Sequence, residues 1–399
     1  MPSHYLDHAA TTPVRPEATA AWLAAPGGNA SSVHATGRRA RRVLEEAREE
    51  IADRMSVTAS DVIFTSGGTM ADNLAVRGIH AARTAADQRR DTIVVSAVEH
   101  HAVLDAAAAV PGARVHPLPV DEQGRVRTEH LAELLAAEAG RVSLVSVMSA
   151  NNEVGTAQPV AEIAALCRSV EVPLHIDAVQ SVGSWGAPPV EGVAFSVSGH
   201  KFGAPAGIGA LVLPAGVPCQ PLIVGGGQER KIHSGTLNVA GAAAMAAALA
   251  AALDSNLSSG EPGTPLPQLR AELEAGVVAA APEARIVGGR DRLPGVVSAV
   301  FDGCEADALL MLLDAAGIEC STGSACTAGI PEPSHVLAAM GADPATARSA
   351  LRFSLGWTST RADVEALVDA LPEAVARARR ASARQSGRRT SRRLSGTAV

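Results

Sequence analysis

The sequence is short of lysine. Lys201 and Lys231 are its only two, so the rest of the 34 Lys+Arg residues are arginine. Arginine keeps its proton under almost any protein condition, whereas a lysine can shed it and act as an amine nucleophile. Amine chemistry from a lysine would therefore have two candidates. Aromatic residues are scarce too, at 2%, which leaves Ala, Val, Leu and Ile to build the core. Only five cysteines occur (Cys167, Cys219, Cys304, Cys320, Cys326), with no C-x-x-C pair. That sparse, odd set without a secretion signal points to a reducing cytoplasm and away from a disulfide scaffold or a zinc module. The opening "MPSHYLDHAATTP" has neither a basic n-region nor an apolar h-region. The most apolar run, Val239–Leu253, is Ala-dominated and shorter than the roughly 20 residues of a membrane span. A net charge of −7 does not suggest a nucleic-acid binder.

What is present is a 47% hydrophobic, 19% charged chain of 399 residues, the balance of a globular protein. "DVIFTS", "DTIVVSAVEH", "RVSLVSVMS", "VPLHIDAVQ", "VAFSVSGH" and "GIGALVLP" are short Val- and Ile-rich runs separated by helical patterns such as "PVAEIAALCRSV". Near-continuous apolar strands alternating with helices predict a mostly parallel sheet covered on both faces. Such sheets bind ligands at the carboxyl ends of their strands. Five segments follow: 1–14, packing with a small domain; a large domain over 15–254; a Ser/Gly/Pro linker over 255–267; a small C-terminal domain over 268–376; and an Arg-rich tail over 377–399. The tail has no acids and almost no large apolar residues, and predicts disorder. A solvated extension is the preferred reading of it, a contact with RNA or an acidic partner the weaker one.

Six stretches carry chemistry. "SVSGHKFGAPAGIGAL" presents His200 and Lys201 at the mouth of a strand, while Lys231 lies among charged neighbours. "PLHIDAVQ" sets Asp177 after an apolar run, where a carboxylate needs a partner. "FTSGGTMADNLAV" reads strand, Ser-Gly-Gly-Thr, helix, which is how backbone N–H groups cradle a phosphate, without the ending of a P-loop. "VEHHAVLD" places two histidines at a strand end, with no metal-ligand spacing around them. "LRFSLGW" sets Arg352 where it suits bidentate capture of a carboxylate. Finally, "CSTGSACTAGIPEPSH" has the small, polar, Gly/Pro-punctuated composition of a mobile loop, so Cys326 sits where a structural cysteine would not be expected.

In this order, and with "YLDHAATTPVRP", "GNASSVHATGRRAR", "NNEVGT", "SGHK", "SGT" and "STGSACT", the chain resembles the cysteine desulfurases of the class V aminotransferase group. The resemblance spans all but the Arg-rich tail. It implies an α/β fold of pyridoxal-phosphate fold type I, with a mostly parallel seven-stranded sheet in the large domain and a smaller α+β domain. It further implies pyridoxal 5'-phosphate as cofactor, held covalently by Lys201, with Asp177 pairing the ring nitrogen and His100 stacking on the ring. Gln180 and Asn152 would bind the phenolic side. Gly68, Thr69, Ser198, His200 and Thr236 would hold the phosphate, Thr236 from the other subunit of a homodimer. Arg352 would clamp the carboxylate of L-cysteine, and Asn152 would assist.

Cys326 would be the nucleophile that takes sulfur as a persulfide, releasing L-alanine and passing the sulfur to an acceptor protein. Its thiolate calls for a nearby proton acceptor such as His100. No metal is implied. Selenocysteine lyase, another class V enzyme, or a non-catalytic sulfur-pathway scaffold are the competing readings. Departures from the family pattern are His233 in "KIHSGT" where an arginine is usual, Ala30 where a proline follows the asparagine, and Met70 where an acid is frequent.

Overall fold

Residues 3–255, 257–261, 263–323 and 333–395 are described by the computed structural model, with side chains as far as residue 383. Twelve strands occur among them: β1 His4–Tyr5, β2 Val62–Thr65, β3 Thr92–Ser96, β4 Arg114–Leu118, β5 Val142–Met148, β6 Leu174–Asp177, β7 Ala194–Ser198, β8 Gly209–Val212, β9 Arg285–Val287, β10 Val296–Val300, β11 Ile318–Glu319 and β12 Ala350–Ser354.

Seven of them form one sheet in the order β2-β8-β7-β6-β5-β3-β4. Every pairing from β7 through β4 is parallel, and β8 is inserted antiparallel between β2 and β7. Strands β3, β5, β6 and β7 are buried at every residue, as expected where helices cover both faces and β-branched side chains pack on a pleated surface. With almost no aromatics, small side chains fill the layers. The helix Val239–Asp254 buries Ala242, Ala244, Met245, Ala246, Ala248, Leu249 and Ala252. No helix among the described residues is long and apolar enough to cross a membrane.

The second unit is built on the antiparallel sheet β12-β10-β9, over its own core containing Leu269, Leu273, Phe301, Leu309 and Phe353. The N-terminal segment joins it: β1 pairs with β11, and Asp7 bridges Ser354 at the end of β12. Residues 7–10 therefore run from the small sheet to the carboxyl edge of the large one. Composition predicts an unstructured tail from 377, but the last helix, Arg361–Ser395, carries the chain through most of that stretch. Val364, Leu367, Leu371, Ala374, Val375 and Ala378 anchor it on the small-domain core. Alanine and arginine are strong helix formers, and a helix already nucleated propagates at low cost.

Candidate active site

A cavity of about 480 Å³ opens at the carboxyl edge of the large sheet, lined by the ends of its strands, by Ala9 and Ala10, and by Arg352 of β12. Lys201 closes the 3₁₀ turn Gly199–Lys201 directly after β7. Its Nζ donates to the carbonyls of Ala9 at 2.6 Å and Ala10 at 2.9 Å. Burial pulls the amine down to about 8, Arg352 pushes the same way, and Asp177 and Asp7 oppose them. An amine so placed is a nucleophile near neutral pH.

Asp177 ends β6, and its Oδ1 accepts the Val179 N–H at 2.9 Å. Burial raises this carboxyl to about 6, with the Val179 N–H and Lys201 pulling it back. Asp72 lies in the same floor, 2% exposed, and its Oδ1 has no protein partner. Burial, and then the charge of Asp177, lift Asp72 well above the carboxylate range. Asp72 Oδ1 stands 3.7 Å from His175 Nε2, which by distance alone reads as an ion pair. Burial also lowers His175, to about 3, so it works against the charged form of both partners. Of the two carboxyls, Asp177 is the one that Lys201 draws back toward ionisation.

The stretch expected to cradle a phosphate is shaped by backbone. Gly67 precedes the helix Gly68–Asn73, which runs on into the helical residues 74–86. A Cβ at Gly68 would stand 2.7 Å from Val179 Cγ2 and 3.3 Å from Ser198 Cβ, and one at Gly209 would stand 2.7 Å from Gly67 Cα. Glycine is required here because backbone must come close to backbone and to any bound anion. Thr69, Ser198 and His200 line the same end. The His200 ring Nδ1 lies 3.1 Å from Thr11 Oγ1, and burial depresses the ring to about 4.

His100 caps the helix His101–Ala108, its Nδ1 accepting the Ala102 N–H at 3.1 Å. Nδ1 is therefore an acceptor, and the neutral ring carries its proton on Nε2. Burial, followed by Lys201, drives the ring to about 4. A stacked, donating histidine is consistent with this. Its Nδ1 is engaged by the Ala102 N–H in this arrangement.

Arg352 is 4% exposed. Nη2 donates to Asp7 Oδ1 and Nη1 to the Asn152 carbonyl, each at 2.8 Å, while Nε is buried without a protein partner. Gln180 Nε2 donates to the Ala9 carbonyl at 2.9 Å. Thr236 is exposed and does not line the cavity of its own chain. Cys326 lies outside the described residues. Gly323 and His335, on either side of it in sequence, both line the cavity.

The cavity therefore gathers Gly68, Thr69, His100, Asn152, Asp177, Gln180, Ser198, His200, Lys201 and Arg352. Asp72, Glu153, His101 and His335 line it too, and the sequence gives no role to them, or to Asp7. "VEHH" and "LDHAATT" carried the signal for His101 and Asp7, but what each faces depends on chain folded from far away.

These residues fit pyridoxal 5'-phosphate. They offer a depressed amine, an acid that can ionise, a glycine cradle, a histidine donor and a guanidinium with a buried unpartnered N–H. No group of His, Cys, Asp and Glu among the described residues could hold a metal ion.

The chain matches the family described as Aminotransferase class-V over residues 4–367. It is 52% identical over 373 residues to an IscS-like cysteine desulfurase of Mycobacterium tuberculosis, covering 91% of this chain and 93% of that protein. It is 38% identical to the cysteine desulfurase NifS of Azotobacter vinelandii, covering 92% and 90%. Among solved structures, a NifS-like protein superposes with a TM-score of 0.84 at 32% identity, over 94% of this chain and 99% of the other. Another, from Rickettsia africae, gives 0.82 at 32% identity over 93% and 99%.

Proposed function

The chain belongs to the class-V aminotransferase family, and on that premise we propose that it converts L-cysteine to L-alanine with Cys326 as the sulfur-accepting nucleophile. It is a pyridoxal 5'-phosphate-dependent cysteine desulfurase. The observation that carries the assignment of roles is one cavity shared by Lys201, Asp177, His100 and Arg352.

Lys201 would hold the cofactor, Asp177 its ring nitrogen, and Gln180 and Asn152 its phenolic side. Gly68, Thr69, Ser198 and His200 would take the phosphate, with Thr236 of a second subunit completing the site in a homodimer. When bound, the cofactor supplies an electron sink for bonds at the substrate's Cα. Arg352 orients the substrate by its carboxylate, with Nε and Nη available. Lys201 is placed to take the Cα proton, since its amine is depressed toward neutrality by burial.

Cys326, as thiolate, attacks the substrate sulfur. The new S–S bond forms as the Cβ–S bond breaks, and the carbon fragment gains protons to become alanine. The persulfide then passes to an acceptor, an iron–sulfur scaffold or a thiolation enzyme, in the cytoplasm. The thiols of Cys167, Cys219, Cys304 and Cys320, all unpaired, support a reducing compartment.

The test is to incubate the holoenzyme with L-cysteine and a reducing thiol, and to assay alanine and sulfide for wild type and Cys326→Ala. The variant is expected to lose sulfide production by at least two orders of magnitude. Equal sulfide from both would remove the persulfide route.

A further inference from the structure

An amine that works at the substrate's Cα needs its backbone held in place, and the turn ending in Lys201 is held by a residue to which the sequence gives no role. We infer that Arg15 is a positioning residue for Lys201, and that Trp357 joins this hold to the strand carrying Arg352; this rests on the reading of Lys201 and Arg352 above.

Arg15 directly precedes the helix Pro16–Ala24. It does not line the main cavity but a smaller one of about 90 Å³, and Lys201 borders both. The Arg15 backbone N–H donates to the Gly203 carbonyl at 2.9 Å, and its Nε donates to the Phe202 carbonyl at 3.0 Å. These are the two residues that follow Lys201. Gly203 takes φ +100°, and a Cβ there would stand 2.6 Å from Arg15 Cγ and 3.0 Å from Cδ. The arginine stem thus lies directly on the backbone of the turn, in space that only glycine leaves open. Just before Lys201, the His200 carbonyl accepts the Thr12 N–H at 3.1 Å. Residues 9–15 therefore touch every residue from 200 to 203.

The same guanidinium reaches the small domain. Arg15 Cζ sits 5.0 Å from the centroid of the Trp357 ring, inside the range of about 6 Å over which an aromatic face attracts a cation. The ring is itself fixed, because Trp357 Nε1 donates to the Pro13 carbonyl at 3.0 Å. Trp357 follows Arg352 in the chain, just past the end of β12 at Ser354. Arg15 is buried, and burial works against its charge, with Glu17 opposing. Holding a charge there is costly. A planar guanidinium, however, can donate along its edge to a carbonyl while its face lies on a ring, which a lysine cannot do. That double contact ties the Lys201 turn to the strand of Arg352.

The effect on the reaction follows from what is held. Asp7 bonds the guanidinium of Arg352 and so bears on capture of the substrate carboxylate. Arg15 instead holds the backbone beside the amine, leaving the carboxylate clamp untouched. Its loss falls on the step in which Lys201 takes the Cα proton. A displacement of about 1 Å at a reacting group costs up to about 10²-fold in rate.

The test is steady-state turnover of L-cysteine by holoenzyme in wild type, Arg15→Gln, Arg15→Lys, Trp357→Leu and the double variant Arg15→Gln/Trp357→Leu. Circular dichroism in the cofactor's absorption band is recorded on the same samples. Arg15→Gln is expected to lower kcat about tenfold to hundredfold, with KM within about twofold of wild type, and to reduce the cofactor-band dichroism. Arg15→Lys keeps a cation for the ring but loses the planar fork, and is expected to recover part of kcat. The double variant is expected to lose no more than Arg15→Gln alone, because both changes open the same contact. Should Arg15→Gln not fold, Trp357→Leu and Arg15→Lys are held to the same pattern of lowered kcat, steady KM and reduced dichroism. Wild-type kcat and dichroism in the Arg15 variants, a loss carried by KM, or a double variant whose loss is the product of the single losses overturns the assignment. With the borohydride adduct on Lys201, such results sink this inference alone, whereas an adduct elsewhere removes the reading beneath it.

Discussion

Asp7 Oδ1 accepts a hydrogen bond from Arg352 Nη2 at 2.8 Å, tying the N-terminal segment to β12, the strand that carries the proposed carboxylate clamp. The next residues along, Ala9 and Ala10, hold Lys201 by their carbonyls. One short stretch of chain thus steadies both the amine and the guanidinium.

Asp7→Asn should weaken substrate capture more than turnover. A hydrogen bond to a charged group contributes about 1.5–3 kcal/mol, and Arg352 would lose the ionised partner of its Nη2. The KM for L-cysteine is expected to rise about ten- to hundredfold, with a smaller change in kcat. Steady-state kinetics on the purified variant decide it, and an unchanged KM would show that Asp7 does not position the clamp.

Glu99 makes stability depend on pH. It is fully buried, its Oε1 accepts the Ser96 hydroxyl at 2.5 Å and the Met148 N–H at 2.7 Å, and its Oε2 has no protein partner. Burial raises its carboxyl from 4.5 to about 8. A group raised on folding contributes its stability in full below the unfolded value and loses it as pH climbs through the folded one. Glu99→Gln, which stays neutral and can keep both acceptor bonds, should resemble wild type near pH 4.5. Above that it should gain on wild type by up to about 1.4 kcal/mol per pH unit until pH 8. Urea melts at the two ends of that window measure the difference. A constant gap between the proteins would contradict the expectation.

Gly209→Ala probes the cradle without touching its lining. The added methyl would meet Gly67 Cα and the Val197 carbonyl, each at 2.7 Å, and neither is the end of a flexible side chain. Overpacking of this kind costs about 1–3 kcal/mol, here expressed as displacement of the Gly67 backbone. Titration of the apoprotein with pyridoxal 5'-phosphate should show affinity lowered about tenfold or more. Wild-type affinity would mean that the cradle tolerates the shift.

The parts legible in sequence were those that composition controls. The runs that became β3, β5, β6 and β7 are apolar because both sheet faces are covered, and Lys201 stood out because only one other lysine exists. Asp177 and His100 were visible as polar residues ending apolar runs. Three-dimensional partnerships were not visible. Asp7 and Arg352 meet across almost the whole chain, and nothing local marks either as the other's counter-ion. "GIGALVLP" has the composition of its parallel neighbours, yet β8 is antiparallel, because direction is set by the loop that returns it beside β7. The helix through the Arg-rich segment was missed because low hydrophobicity was weighed without the core to which its first turns are anchored. Nor could the sequence show that His100 Nδ1 meets the Ala102 N–H.

The most direct measurement is reduction of the holoenzyme with borohydride, followed by peptide mapping of the cofactor-bearing residue. Repeating the capture step on apoprotein across pH should show cofactor uptake half-maximal near the value of about 8 to which burial brings the Lys201 amine. The account expects a single reduced adduct on Lys201 and none in Lys201→Ala. An adduct on Lys231, or no adduct at all, would contradict it.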